Sequence, residues 1–125
     1  MSTKQYEILV VDDDPVIRDM MVDILSFEGY VIHTARNGRE ALEKIHRAAS
    51  AVCYLVFLDL MMPVVDGYGV CRQLNEDVAL RQRHIVILMS ALDNIIEASS
   101  LKVDATLPKP FSVDEVMYVM TPFMG

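Results

Sequence analysis

Seven consecutive residues, Val52 to Leu58, are apolar without exception, and the next residue is Asp59. A strand with one wet face alternates apolar and polar side chains, whereas an unbroken short run belongs to a strand covered on both faces. Such strands lie at the centre of parallel sheets with helices above and below. The run therefore predicts an α/β layer architecture, and it places a carboxylate at the end of the most buried strand.

The rest of the chain alternates accordingly. Tyr6–Val11 is a short β-branched run that ends in Asp12, Asp13 and Asp14. Asp14 and Pro15 then open a helix, as a cap and a first-turn proline. Ile17, Met20, Met21, Ile24 and Leu25 form one apolar stripe at helical spacing. Gly29 is placed to end this helix. Tyr30–Ala35 reads as a second strand. Asn37 with Glu40 resembles a capping box for a second helix, whose core face is Ala41, Leu42 and Ile45. After the central strand, Gly67 begins or precedes a third helix through Val70, Cys71 and Leu74. Ile85–Met89 is a fourth strand that ends at Ser90, followed by a short helix around Asp93–Leu101, with Asp93 or Asn94 as its cap. Thr106 and Leu107 give a brief fifth strand. Ser112 with Glu115 caps a last helix, which Pro122 is expected to limit. The pattern is five βα units in a single domain over residues 1–125, without linker or repeat, and right-handed crossovers place helices on both faces of the sheet.

In such sheets the functional crevice lies beyond the carboxyl ends of the strands. The residues there are Asp12, Asp13 and Asp14 after the first strand, Asp59 after the third, Ser90 at the fourth and Lys109 past the fifth. In the flavodoxin-like order 2-1-3-4-5 the first and third strands are neighbours, and their carboxylates converge. Carboxylates that close repel unless a cation joins them. A hard divalent ion with oxygen ligands, Mg²⁺ above all, suits the cluster. A metal-bound carboxylate flanked by a hydroxyl and an ammonium suits a transferring phosphoryl group, with one Asp as nucleophile and an acyl phosphate as product.

Four segments, Ile8-Leu-Val-Val-Asp-Asp-Asp14, Leu58-Asp-Leu-Met-Met-Pro-Val-Val-Asp-Gly67, Ile87-Leu-Met-Ser-Ala91 and Leu107-Pro-Lys-Pro-Phe111, resemble the receiver domain of two-component response regulators. The resemblance covers essentially the whole chain. It implies that Asp59 accepts a phosphoryl group from the phosphohistidine of a sensor histidine kinase or phosphotransfer protein, or from a small acyl phosphate. It implies that Asp12, Asp13, Asp59 and the main-chain carbonyl of Met61 hold Mg²⁺, that Ser90 and Lys109 contact the phosphoryl group, and that the Lys109–Pro110 bond is cis. It also implies a cytoplasmic switch that modifies itself, not a turnover enzyme, with a possible C-terminal effector domain beyond this segment. Met61 and Leu92 border the path of attacking water in this family. Both are apolar here, so slow loss of the phosphoryl group is expected.

Two departures from the family pattern stand out. Thr106 occupies the position of the usual strand-five aromatic. Ser90 and Lys109 are only 19 residues apart, short by about one helical turn. A short or mobile fourth helix is expected, with a monomer or weak dimer as the oligomeric state.

Composition narrows the alternatives. Asp plus Glu is 18 against 11 Lys plus Arg, a net charge of −7, which argues against nucleic-acid binding by this chain. The most apolar stretch, Ala48–Val65, is interrupted by Ser50, Asp59 and Pro63, short of the roughly 20 apolar residues a membrane span needs. The N-terminal MSTKQYE has no leader-like apolar region. Cys53 and Cys71 read as reduced core thiols, and His33, His46 and His84 lack metal-ligand spacing and read as structural or exposed. Asp66-Gly67 reads as a turn without a catalytic role. A flavodoxin-type electron carrier needs an anion-binding turn where Asp12–Asp14 would repel phosphate. A phosphatase of the haloacid dehalogenase type would use Asp12 as nucleophile, because Asp12-Asp13-Asp14-Pro15-Val16 resembles its opening motif, but it leaves Asp59 without a role.

Overall fold

The computed structural model describes residues 4–124. Met1–Thr3, part of the segment read above as lacking a leader, and Gly125 lie outside the described residues. Five strands, β1 (Gln5–Val11), β2 (Ile32–Ala35), β3 (Val52–Leu58), β4 (Ile85–Ala91) and β5 (Ala105–Lys109), form one parallel sheet in the order β2-β1-β3-β4-β5. Six helices cover it: α1 (Pro15–Phe27), α2 (Gly38–Arg47), α3 (Gly67–Glu76), α4 (Val78–Arg83), α5 (Leu92–Glu97) and α6 (Val113–Met124). This is the doubly wound, flavodoxin-like arrangement expected from the strand–helix alternation.

Every residue of β3 is buried, because both of its faces are covered. On one face Leu9, Val11, Val56 and Leu58 pack against Ala41, Leu42 and Ile45 of α2 and Val70, Cys71 and Leu74 of α3. On the other, Ile8, Val10, Leu55 and Phe57 meet Met21 and Leu25 of α1 and Val116 and Met120 of α6. The period of two in β1 and β3 thus divides their side chains between two cores. Cys53 and Cys71 are buried free thiols.

The helix boundaries follow local chemistry. Asp14 caps α1 by accepting from the Val16 N–H at 2.9 Å. The helix ends where Gly29 takes φ +87°, with Gly29 N–H donating to Ser26 O and Tyr30 N–H to Leu25 O, a Schellman closure that only a residue tolerant of positive φ makes without strain. Asn37 accepts from the Glu40 N–H at 2.9 Å. Ser112 and Glu115 form a reciprocal capping box.

Several boundaries differ from the sequence reading. The extra helix α4 carries no buried residue, so it has no apolar stripe to betray it; Asp77 starts it by accepting from the Leu80 N–H at 3.1 Å. β2 begins at Ile32, not Tyr30, and β5 extends to Lys109. α5 is a helix of only 6 residues, and its cap is Ala91, with no side-chain hydrogen bond from Asp93 or Asn94. Pro122 does not limit α6, which continues to Met124. The missing N–H falls one turn from the Tyr118 carbonyl, on the side where Tyr118 is exposed and water can serve that carbonyl.

Two polar side chains are buried at the amino-terminal end of the sheet. Glu7 is satisfied by Gln5 Nε2 and by the His33 ring, each at 2.6 Å. His84 precedes β4, and its Nδ1 accepts from the Tyr54 N–H at 3.0 Å, a donor that the β3–β4 ladder does not reach. The imidazole lies against the Tyr54 ring, with centroids 5.5 Å apart. Burial, then the charges of Arg83 and Arg81, lower its pKa to about 4. The unfolded chain therefore binds a proton near pH 6.5 that the folded chain refuses, and stability falls with pH across the interval between the two values. Denaturant titrations from pH 7 to pH 4.5 should show a loss of about 2 kcal/mol from this residue, and His84→Asn should flatten that slope relative to the native chain.

Candidate functional site

Strand order brings the predicted site residues together. Asp12 follows β1 and Asp59 follows β3, which are adjacent; Ser90 lies near the end of β4, and Lys109 closes β5. Asp12, Asp13 and Asp59 each offer a carboxylate oxygen within 4.8 Å of the others. Asp12 and Asp59 are buried and Asp13 is exposed. Asp14 stands apart as the cap of α1.

Partners hold each group. Asp12 Oδ1 accepts from the Asp14 N–H at 2.9 Å, and Oδ2 meets Lys109 Nζ at 2.7 Å. The same ammonium lies 3.4 Å from Asp59 Oδ2. Asp59 Oδ1 accepts, at 3.5 Å, from the Met61 N–H, which starts to turn the chain away from the sheet. Burial and the neighbouring Asp12 charge raise the Asp59 pKa above the usual carboxylate value, against the opposing pull of Lys109, the Ser90 hydroxyl and the Met61 N–H. Burial alone would lower Lys109, but its hydrogen bond to Asp12 and the charge of Asp59 outweigh it, so the ammonium is held more firmly than an ordinary lysine. The Lys109–Pro110 bond is cis. The Met61 and Leu92 side chains stand exposed, at 60% and 53%.

Sequence reasoning missed two supports. Gly67 is more than a turn residue. A Cβ there would lie 2.5 Å from the Asp59 carbonyl oxygen and 2.7 Å from the Leu60 Cα. The start of α3 thus presses directly on the backbone that carries Asp59, while Asp66 caps that helix by accepting from the Gly69 N–H at 2.9 Å. The second support is Arg18, whose guanidinium Nη1 donates to the Asp12 main-chain carbonyl at 2.7 Å. The Asp66-Gly67 pair was the only visible signal for the first. For the second there was none, because an arginine on an amphipathic helix reads as solvated.

Three carboxylates against one contacting ammonium leave an excess of negative charge, and every side-chain donor is a hard oxygen. These residues fit Mg²⁺ chemically, with room on the exposed Asp13 side for retained water.

Comparison with known proteins shows the family. Residues 8–121 match the family model described as response regulator receiver domain. The response regulator MprA of Mycolicibacterium vanbaalenii is 40% identical over 116 residues, which cover 88% of this chain and 46% of that protein. The protein named probable transcriptional regulator ycf27 of Guillardia theta is 37% identical over 119 residues, covering 93% of this chain and 44% of its own length. The chain therefore spans about half the length of the curated relatives it matches. Among solved structures, a CheY-like receiver domain protein from Methanospirillum hungatei superposes with a TM-score of 0.79 at 28% identity, covering 96% of this chain and 94% of that one. The response regulator TrrA of Thermotoga maritima, solved in complex with Mg²⁺ and BeF, gives 0.79 at 34% identity, covering 94% and 98%. The chain belongs to the response regulator receiver domain family. A haloacid dehalogenase-type phosphatase is not supported by any of these likenesses. Receiver domains bind Mg²⁺ at acidic residues, and an aspartate cluster is present here.

The close approach at Gly67 gives a direct test of the site's support. Gly67→Ala should destabilise the fold by about 1–3 kcal/mol, because the Cβ meets backbone rather than a movable side chain. It should also weaken Mg²⁺ binding by displacing Asp59. Urea denaturation and calorimetric Mg²⁺ titration of the variant measure the two effects.

Proposed function

We propose that this domain is a phosphorylation switch in which Asp59 takes a phosphoryl group from the phosphohistidine of a sensor histidine kinase or phosphotransfer protein, or from a small acyl phosphate. The observation that carries the reading is the position of Asp59, a buried carboxylate 3.4 Å from the Lys109 ammonium and within reach of two further carboxylates. An Asp59 oxygen attacks phosphorus, the P–N bond to the donor imidazole breaks, and its electron pair leaves on the ring nitrogen, which is protonated. Lys109 and the Ser90 hydroxyl receive the phosphoryl oxygens. Asp12, Asp13, Asp59 and the Met61 carbonyl would hold Mg²⁺, which when bound neutralises charge on those oxygens.

The domain changes its own state and turns over no external substrate. Buried, unpaired Cys53 and Cys71 fit a cytoplasmic setting. Among the described residues no helix is long and apolar enough to cross a membrane. The relatives are about twice as long as the matched segment, so the output is assigned to an effector domain or partner outside these residues. The net charge of −7 keeps direct nucleic-acid contact out of this domain.

With Mg²⁺ and acetyl phosphate the chain should gain one phosphoryl group, and Asp59→Asn should gain none. Wild-type phosphorylation of Asp59→Asn by mass spectrometry would refute the assignment. The acyl phosphate should decay slowly, since neither Met61 nor Leu92 can hydrogen-bond a water into line; Met61→Asn or Leu92→Glu should change the decay rate. The readout is proposed to use α5. A helix of 6 residues with no side-chain cap has little stability of its own, and Thr106 has no ring to turn. Beryllofluoride should alter amide exchange in α5 and leave the chain a monomer or weak dimer in sedimentation. A tight activated dimer would overturn this part of the reading.

A further inference from the structure

Arg18 closes the first turn of α1, half-buried, and reaches back to the corner that the helix leaves. Its Nη1 donates to the Asp12 carbonyl at 2.7 Å. At this point β1 is ending. The Asp12 N–H still bonds Ala35 O, and the Asp59 N–H bonds Val11 O, one residue earlier. The Asp12 carbonyl is the first after β1, beyond those ladders, in a wholly buried residue, and a buried carbonyl needs a donor. Arg18 supplies it. Asp12 is then fixed at the main chain by Arg18 and at the carboxylate by Lys109 and the Asp14 N–H.

We propose that Arg18 is a positioning residue for the cation site: by holding the Asp12 carbonyl it sets the direction in which the Asp12 and Asp13 carboxylates face Asp59. This rests on the Mg²⁺ reading given above. The alternatives differ in sign. A guanidinium that is only a neighbouring charge repels a bound cation, so its removal would tighten Mg²⁺ binding. A guanidinium that holds the corner in place loosens binding when it is removed, because Asp13 is exposed and takes its direction from this backbone.

The test is calorimetric titration of the full chain with Mg²⁺ alone, at a temperature where every variant is folded. Arg18→Met, which keeps the length of the side chain and removes the donors, should weaken Mg²⁺ binding about tenfold. Arg18→Lys, which keeps a donor and the charge, should recover most of that loss. Arg18→Met binding Mg²⁺ as tightly as the native chain, or more tightly, would overturn the inference; so would a lowered melting temperature with unchanged Mg²⁺ affinity, which marks a merely structural role. A native chain showing no Mg²⁺ binding that Asp13→Asn removes would overturn the cation-site reading itself, and the inference with it.

Discussion

The constraint on which this structure turns is the pair of carboxylates Asp12 and Asp59, buried at the ends of adjacent strands. Removing one charge from water is unfavourable, and placing a like charge beside it compounds the cost. The Lys109 ammonium answers both by standing 2.7 Å from one and 3.4 Å from the other. It arrives there only because β5 pairs with β4, and β4 with β3. The sheet order is thus also an electrostatic arrangement. A phosphoryl group or a cation entering this site would meet charges already held in place, with little reorganisation left to perform.

The supports around the pair are backbone contacts more than side-chain packing. Gly67 lets α3 begin against the Asp59 carbonyl, and Arg18 closes the carbonyl at Asp12. Both act on the chain segments that carry the carboxylates. Their effect on the site is therefore directional, since a shift of the backbone re-aims a side chain whose own rotamer is unchanged.

At the other end of the sheet, a second network ties α4 to the strands beside it. Arg81 of α4 donates to His84 O at 3.0 Å and to Lys102 O at 3.1 Å, and pairs with Asp104 Oδ2 at 3.1 Å. Asp104 also accepts from the Val86 N–H at 2.8 Å, at the start of β4. The extra helix is thereby tied to both β4 and the segment leading into β5. The residues after α5 are held by these side chains together with backbone bonds from Leu101 N–H to Ala98 O and from Asp104 N–H to Val86 O.

The sequence by itself determined the architecture. An unbroken apolar run, two amphipathic stripes and a set of helix caps are local signals, because burial and capping impose periods and residue types that can be read along the chain. It also determined which residues could be functional, because a carboxylate that ends a buried strand must meet a cation or a proton there. It did not determine α4, which buries no residue and so carries no apolar period, or the reach of α6 past Pro122, beside the exposed Tyr118. The roles of Glu7, His84 and Arg18 were equally invisible, and that of Gly67 showed only as a turn. Each depends on a partner brought near by the fold or on the space left by a neighbouring backbone, and only the tertiary structure decides those distances.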